Sequence, residues 1–260
     1  MSFDPLPAAQ ALLRQRRSGA MVAPLPAAMA PGSEIEGAAV QFAMAGLVEA
    51  VPPAGFKIGA TGSRMQAYLG LDAPIGGFMR AQDVHQGHAD LRFSDYRRPG
   101  LECEVAVRLG RDLPPGRYSL EQVTAAVGTF FAGIEIVENR YGDLKELGTP
   151  VLVADQMFHA AAVIGADGGI DWRRLDLTAL TGRIEVTGGT ADSGVTSDLM
   201  GHPLNGLIWL AVSPLVAAFG GLKAGQVVML GSVTPPVWLD GPVQATVSFP
   251  PFPAVTVHLG

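Results

Sequence analysis

Two segments of the chain place glutamates inside patterns that are typical of β-strands. In the first, Glu102 and Glu104 alternate with apolar residues, and in the second, Glu135 lies between two isoleucines. Because successive strand side chains point to opposite faces, Glu102 and Glu104 would share one face, roughly 7 Å apart. Three carboxylates on two neighbouring strands would offer a hard divalent cation the oxygen ligands that it prefers. The alternative is that these glutamates form the solvated side of half-buried strands, the ordinary reason for such alternation.

Lys57 is the second candidate for chemistry because it stands in a short apolar stretch. It lies between Phe56 and Ile58, shortly after a double proline, in a run that is typical of a strand. Partial burial there would lower the pKa of the ammonium group and suit it to proton transfer. The alternative is a surface lysine whose aliphatic stem covers apolar surface while its charge stays in water.

The composition favours a compact globular protein and excludes several classes of partner. The chain has 260 residues, 48% hydrophobic and 16% charged, enough for one large domain or two small ones. Its net charge of −6 and lack of long Lys/Arg runs argue against a nucleic-acid partner. Without a signal-peptide pattern or an apolar run of about eighteen residues, we expect no membrane span and a cytoplasmic location. Cys103, the single cysteine, is expected to be a small buried side chain rather than a nucleophile.

The N-terminal part of the chain is predicted to be helical. Residues 1–55 form this helical segment, and within it Ser33 and Glu36 have the spacing of a capping box. The helix that follows is expected to turn four side chains toward the core, namely Ile35, Ala39, Phe42 and Leu47. The double proline at 52–53 should end the helical segment.

The rest of the chain, residues 56–260, is predicted to be the catalytic domain, either separate or continuous with the helical segment. Its short β runs are interrupted by a helix that starts at Ser119, with Gln122 at the capping-box position, and carries Val123, Val127 and Phe130. A second helix starts near Pro203 and should be kinked or split at Pro214. Many short strands with few helices favour an α+β fold built around a mixed or antiparallel β-roll.

Several common catalytic signatures are absent from the sequence. It contains no phosphate-binding loop, no dinucleotide fingerprint after a strand, no zinc-protease motif and no nucleophile elbow. Five histidines show no tight zinc spacing; they are His85, His88, His159, His202 and His258. His85 and His88 lie three residues apart in a loop-like stretch and are interpreted first as surface residues. Carboxylates and a few basic residues among apolar neighbours remain as the candidates for chemistry.

The chain resembles a known family along most of its length. The matching stretches begin at Lys57-Ile58-Gly59-Ala60-Thr61, continue through Glu102-Cys103-Glu104 and 134–140, and follow in order at 153–155, 201–205, 209–211, 222–225 and 230–232. They are similar to stretches of the 2-keto-4-pentenoate hydratase and 4-oxalocrotonate decarboxylase family, which belongs to the fumarylacetoacetate hydrolase superfamily. Each stretch alone is weak, but their collinear order is specific.

This resemblance implies a fold and a metal site. The fold would be a mixed β-roll of the fumarylacetoacetate hydrolase C-terminal-domain type, preceded by the helical segment. Its metal ligands would be Glu102, Glu104 and Glu135, holding Mg²⁺ or Mn²⁺. Glu138 is left out of the ligand set, because strand alternation points it away from Glu135.

The resemblance also implies a reaction and a set of partners. A hydratase of this family adds water to a 2-hydroxy-2,4-dienoate, giving a 4-hydroxy-2-oxo acid through an enolate that the metal stabilises. Lys57 would be the proton shuttle, Asp155 would orient Lys57 or the attacking water, and Arg140 would position a carboxylate through bidentate hydrogen bonds. Family habit implies a homo-oligomer, with association with another enzyme of an aromatic-catabolism pathway as a further partner.

The sequence departs from the family pattern close to the expected pocket. Where hydratases usually read Pro-Asp-Phe-Gly, this chain has Ile75 in place of the acid, and the family's Asp-Asp-Met is altered around 80–83. After Asp155, the usual Asn and small hydroxyl residues become Gln156-Met157-Phe158, and a common Gly-Asp turn becomes Gly241-Pro242. These changes leave alternatives open: a 2-oxo acid decarboxylase, a tautomerase, a C–C bond hydrolase, or a catalytically inactive partner subunit.

Overall fold

The fold is α+β, as predicted, with a large mixed sheet at its centre. The computed structural model describes residues 3–142 and 144–260. Within that part the strands are β1 (Gly55–Gly59), β2 (Ile75–Met79), β3 (Val84–Gln86), β4 (His88–Leu91), β5 (Pro99–Leu109), β6 (Val127–Glu138), β7 (His159–Ile164), β8 (Thr181–Val186), β9 (Thr190–Val195), β10 (Val227–Ser232), β11 (Val237–Trp238), β12 (Val243–Ser248) and β13 (Val255–Leu259). The helices are α1 (Leu6–Arg17), α2 (Glu34–Leu47), α3 (Ser63–Leu69), α4 (Leu120–Ala126), α5 (Leu144–Leu147), α6 (Thr149–Ala154), α7 (Pro203–Val212) and α8 (Pro214–Ala218).

Two sheets organise the strands. The larger one is 8-stranded in the order β2-β1-β10-β5-β6-β7-β3, with β11 paired to β5. It is mixed, because β1 runs parallel to β10 and β3 runs parallel to β7, while the other pairs are antiparallel. The smaller sheet is 5-stranded, in the order β4-β13-β12-β8-β9.

The two faces of the larger sheet have different roles. Phe56, Cys103 and Ile134 lie on one face and belong to the main hydrophobic core. On the opposite face, Met229 and Ala106 pair in register and belong to a separate small cluster that also contains Met79, Ala162, Ile164 and Val227. Glu102 and Glu104 share this second face with Ala106, because strand side chains alternate. Burial on both faces keeps polar side chains there away from water.

Helix α2 turns a different face inward from the one predicted. Ile35 is 70% exposed, and Phe42 and Leu47 are each 41% exposed, whereas the buried positions are Gly37, Ala38, Val40, Gln41, Met44 and Ala45. Close packing against α6 is the reason, since a Cβ at position 37 would lie 2.6 Å from the Pro150 carbonyl oxygen. Small residues therefore face the core, and the large apolar ones point outward.

Gln41 is the polar centre of this inward face. Its side-chain amide donates to the carbonyl oxygens of Gly76 and Val153, and its Oε1 accepts the Phe78 N–H. The helical segment is thereby bonded to β2 and to the end of α6.

The other helix predictions are confirmed at their starts. The capping box of α4 is complete, with Ser119 and Gln122 bonding reciprocally. At α2 only half of the box forms, because Glu36 accepts from the Gly32 N–H rather than from Ser33. Pro214 begins the separate helix α8, as predicted. The helix from Ser119 ends earlier than expected, at Ala126, so Val127 and Phe130 lie on β6.

Two further expectations can be compared with the structure. Cys103 is fully buried, and burial raises the pKa of its thiol, so it packs as a small apolar side chain. Among the residues that the structure describes, no helix has the length and apolar character needed to cross a bilayer.

Candidate metal centre and active site

Three glutamates meet on the second face of the larger sheet. Glu102 lies directly opposite Glu135 in the β5–β6 register, and Glu104 is opposite Gly133. One carboxylate oxygen from each glutamate can be chosen so that all three oxygens lie within 4.8 Å of one another. Glu138 lies outside this group and accepts the Arg97 N–H at 2.7 Å. The pairing of β5 with β6 therefore brings together the three glutamates that the alternating sequence pattern predicted to lie on neighbouring strands.

A β-bulge fixes one oxygen of Glu104. The β5–β10 register shifts between Met229 and Ser232, and Gly231 adopts a φ of +108° at this irregularity. Its N–H donates to Glu104 Oε2 at 3.0 Å, while Oε1 is buried without a hydrogen-bond partner among the described residues. A side chain at position 231 would overlap Thr61 Oγ1, so glycine is required for space as well as for φ.

A second bulge brings His159 onto the same face as Glu135. Ile136 pairs with Ala161 but Val137 pairs with His159, which leaves Ala160 as the extra residue of β7. The imidazole Nδ1 lies 2.8 Å from Glu135 Oε1. Glu135 Oε2 and His159 Nε2 are both buried without hydrogen-bond partners in the part of the chain that the structure describes. Bulges of this kind re-aim a side chain next to functional sites.

Lys57 is buried beside the glutamates rather than at the surface. Its side chain is 2% exposed, and Nζ donates to the Met157 carbonyl at 2.7 Å and lies 3.4 Å from Glu135 Oε1. Of the two readings of this lysine, the structure therefore supports the desolvated one. Ile75, the residue that replaces the family's acid, is paired with Gly59 and so lies on the same sheet face as Lys57.

The three carboxylates differ in their acidity. Burial and the neighbouring Glu135 raise the pKa of Glu102 to about 8. Burial, with Glu135 and Glu102 nearby, raises the pKa of Glu104 well above its usual value. Burial would raise the pKa of Glu135 as well, but Lys57 and His159 lower it below the usual range. In the absence of a cation, the negative charge is therefore concentrated on Glu135.

Asp155 and Arg140 lie in a neighbouring buried network. Asp155 accepts from Arg16 Nε, Arg140 and the Tyr141 hydroxyl, each at 2.7 Å, and is fully buried. Arg140 also lies 3.2 Å from Glu138. Lys57 and Asp155 share neither a hydrogen bond nor an ion pair, so the predicted orienting contact between them is not formed directly.

The turn after Asp155 connects this network to Lys57. Gln156, Met157 and Phe158 all have positive φ values, of 59°, 41° and 64°. Backbone of this kind is costly for residues other than glycine, at about 1–3 kcal/mol each, and it persists where surrounding contacts impose it. Here the Lys57 ammonium holds the Met157 carbonyl, and the Gln156 amide donates to the Phe78 carbonyl at 2.6 Å.

The donor set fits a hard divalent cation. All three side chains supply carboxylate oxygens, which Mg²⁺ prefers, and unpartnered buried oxygens on Glu104 and Glu135 are unusual in a folded protein. In each of these two glutamates one oxygen is held by the protein and the other is free. A cation at this position would satisfy the free oxygens and offset the concentrated negative charge.

The sequence did not reveal three contributors to this centre. Gly231 and His159 reach the glutamates through bulges, and Arg16 reaches Asp155 from α1. The basic stretch Arg14-Gln15-Arg16-Arg17 is too short to indicate a phosphate-binding surface, and nothing in its spacing points to Asp155. For His159, the one available signal was its place shortly after the altered turn at 156–158.

Comparisons with known proteins give the class to which this fold and centre belong. The chain is 34% identical over 184 residues to a 2-hydroxyhexa-2,4-dienoate hydratase of Comamonas testosteroni, covering 70% of this chain and 68% of that relative. It is 32% identical over 236 residues to 2-keto-4-pentenoate hydratase 2 of Dechloromonas aromatica (strain RCB), covering 88% of each. No family model matches the chain.

Solved structures share the fold. With 4-oxalocrotonate decarboxylase from Pseudomonas putida G7, complexed with magnesium and adipate, the TM-score is 0.86 at 22% identity, covering 98% of this chain and 97% of that one. With fumarylpyruvate hydrolase from Pseudomonas aeruginosa, in complex with Mn²⁺ and pyruvate, the TM-score is 0.61 at 16% identity, covering 78% and 88%. The chain belongs to the 2-keto-4-pentenoate hydratase family.

Proposed function

We propose that this protein is a metal-dependent hydratase that adds water to a 2-hydroxy-2,4-dienoate and forms a 4-hydroxy-2-oxo acid. The observation that carries the proposal is the trio Glu102, Glu104 and Glu135, in which the two fully buried members, Glu104 and Glu135, each have one unpartnered oxygen. Hydratases of such dienoates among the relatives support the choice of reaction. The chemistry is that of a hydro-lyase.

The three glutamates would hold Mg²⁺ or Mn²⁺. The bound cation would supply Lewis-acid stabilisation of the negative charge that develops on a 2-oxo acid. Gly231 and His159 keep one oxygen of Glu104 and one of Glu135 occupied, so that each carboxylate offers its other oxygen. Carboxylates with defined partners lose less freedom on binding, because their orientation is already set.

Lys57 would hold and move the proton. Its Nζ is anchored by the Met157 carbonyl and lies beside Glu135, so it is positioned without access to bulk water. A buried ammonium group poised next to a carboxylate can donate to a substrate carbon and be reprotonated, at a rate gain of about 10²–10⁴-fold.

Asp155 and Arg140 would hold the turn that carries Met157 in position. Asp155 is held from three sides, and the turn begins at the residue that follows it. In this arrangement Arg140 is occupied by Asp155 and Glu138. A substrate carboxylate would reach Arg140 only by displacing one of these partners, so we assign both residues to positioning.

The proposed function can be tested with 2-hydroxypenta-2,4-dienoate and purified protein. The dienol absorbance is followed with Mg²⁺ and then with EDTA, and the product is identified by mass spectrometry. The proposal predicts consumption that EDTA stops and a product heavier by one water. Loss of carbon dioxide would instead identify a decarboxylase, and cleavage into two acids a hydrolase.

Three variants make the test specific. Glu104→Ala should abolish both Mn²⁺ binding and turnover. Lys57→Met should lower turnover by about 10²–10⁴-fold while leaving Mn²⁺ binding in place. Glu185→Ala is the matched control, because Glu185 is 59% exposed on β8 and paired with Arg183. Intact Mn²⁺ binding with no turnover of any dienol would favour the inactive partner subunit over the hydratase.

We further propose that the chain forms a homo-oligomer in the cytoplasm. Support for self-association comes from the outward apolar side chains of α2, where the exposed Ile35 lines the same surface groove as the exposed Val212 of α7. Sedimentation analysis of the protein and of Ile35→Asp tests the oligomer, and cell fractionation tests the location.

Two further expectations have their own tests. Association with another enzyme of the pathway is tested by co-purification from cells grown on an aromatic carbon source. A domain boundary near residue 55 is tested by limited proteolysis.

A further inference from the structure

We propose that His159 is a positioning residue that directs the free oxygen of Glu135 at the bound cation. This inference rests on the proposed function, since it assigns a role within the same metal centre. The contact that carries it is the 2.8 Å hydrogen bond between His159 Nδ1 and Glu135 Oε1.

The path of β7 shows how this contact arises. In a regular ladder the residue opposite Val137 would be Ala160, and His159 would point to the other face of the sheet. The extra residue at Ala160 places His159 opposite Val137 instead, on the face that carries Glu135. The chain thus departs from regular strand geometry at the one position that brings an imidazole to this carboxylate.

The two oxygens of Glu135 have opposite environments. Oε1 faces the imidazole at 2.8 Å and the Lys57 ammonium at 3.4 Å, whereas Oε2 is buried without a hydrogen-bond partner among the described residues. The terminal torsion of a glutamate is broad, so the carboxylate would otherwise rotate and exchange the two oxygens. A short directional bond from His159 fixes Oε1, and Oε2 is thereby left for the cation.

His159 acts on the ligand rather than as a ligand. Its ring nitrogens are not part of the group of atoms that lie within 4.8 Å of one another in the glutamate trio. Because an ionised carboxylate only accepts hydrogen bonds, Nδ1 carries the ring proton in this contact. Hydrogen-bond partners of metal ligands typically contribute 10–100-fold in metal affinity.

The affinity for Mn²⁺ tests this inference and is measured through the electron paramagnetic resonance signal of the free ion. The two decisive variants differ only in where the side-chain amide lies. His159→Asn places its amide nitrogen near the position of Nδ1, and His159→Gln places it one bond further out. His159→Ala removes both nitrogens. His88→Asn is the control, since His88 is 50% exposed on β4 and pairs with Asp90.

We expect His159→Ala and His159→Gln to bind Mn²⁺ about 10–100-fold more weakly, and His159→Asn to stay within about 3-fold of the wild type. Equal affinity in all variants, or an Asn variant no better than the Gln variant, would overturn the role of His159. Because the Asn and Gln variants fill similar space, their comparison stands even where His159→Ala fails to fold. A wild-type protein that binds no Mn²⁺ would overturn the proposed function and this inference together, and that result is distinct from a failure of the variants alone.

Discussion

Glu102 and Glu135 lie directly opposite each other on the antiparallel strands β5 and β6, on a buried face of the sheet. When both carboxylates are ionised, like charges at directly opposed positions destabilise a sheet, and burial adds to the cost. The protein nevertheless keeps both carboxylates and adds Glu104 beside them. Such an arrangement sacrifices stability in the metal-free protein for the ability to bind a cation.

Glu102→Gln should stabilise the metal-free protein. At pH 9, where Glu102 with its pKa of about 8 is ionised, removing its charge should raise the free energy of unfolding by about 0.2–1 kcal/mol. Urea unfolding in EDTA measures this change. The exposed Glu185→Gln on β8 should stay within about 0.5 kcal/mol of the wild type. A metal-free Glu102→Gln protein that is less stable than the wild type at pH 9 would contradict the reading of the trio as a strained cluster.

The stability of the metal-free protein should fall as the pH rises. Burial and Glu135 raise the pKa of Glu102 from 4.5 to about 8, so its folded-state contribution is complete below pH 4.5 and is lost as the pH passes through 8. Glu104 shifts in the same direction. Thermal unfolding is measured in EDTA and again with Mn²⁺ in excess over the EDTA. The increase in unfolding temperature that Mn²⁺ causes should grow between pH 5 and pH 9. A gain that is constant across this range would contradict the assignment.

Gly231→Ala should weaken the centre through the backbone. The new Cβ would overlap Thr61 Oγ1 at a positive φ, and relief of that overlap would move the N–H that holds Glu104. We expect a loss of about 2–4 kcal/mol in the free energy of unfolding and weaker Mn²⁺ binding. Gly225→Ala is the matched control, because Gly225 also has a positive φ but open space around it, so it should cost less and leave Mn²⁺ binding unchanged.

Arg140→Ala should be among the most damaging substitutions of a charged residue in this chain. It would remove a partner from the fully buried Asp155 and from the partly exposed Glu138, and breaking a buried ion pair such as that with Asp155 from one side costs about 3–5 kcal/mol. Arg183→Ala breaks an exposed pair with Glu185 and should cost at most about 1 kcal/mol. Urea unfolding of the two variants compares them directly, and similar losses would show that the network around Asp155 is not structural.

Local sequence patterns were sufficient to predict the shared face of the strand glutamates and two of the helix boundaries. Alternation has a fixed period of two, so the shared face of Glu102 and Glu104 follows from the sequence once the strand is recognised. The start of α4 and the break at Pro214 follow from capping and proline chemistry, which depend on a few neighbouring residues. These features require no knowledge of the rest of the chain.

The remaining features depend on contacts between distant segments. A bulge is a difference in register between two strands, so no pattern within β7 alone shows that His159 changes face. The face of α2 was predicted wrongly because hydrophobicity favours Ile35 and Phe42, whereas the close approach of α6 admits only small side chains such as Gly37 and Ala38. Steric fit outweighs the size of the apolar side chain at such a contact.

The bond between Arg16 and Asp155 limits how this chain can be shortened or recombined. It joins residues 139 positions apart, and the guanidinium of α1 is one of three groups that satisfy a fully buried carboxylate. A fragment that begins at the first strand would lose the Arg16 donor to Asp155 Oδ1, while Arg140 and Tyr141 would still hold Oδ2. A chimera with the N-terminus of a relative would preserve this ion pair only if the donor sequence carried an arginine at the same position of the helix. Helix α1 therefore supports the turn that anchors Lys57, although this helix and the turn lie far apart in the sequence.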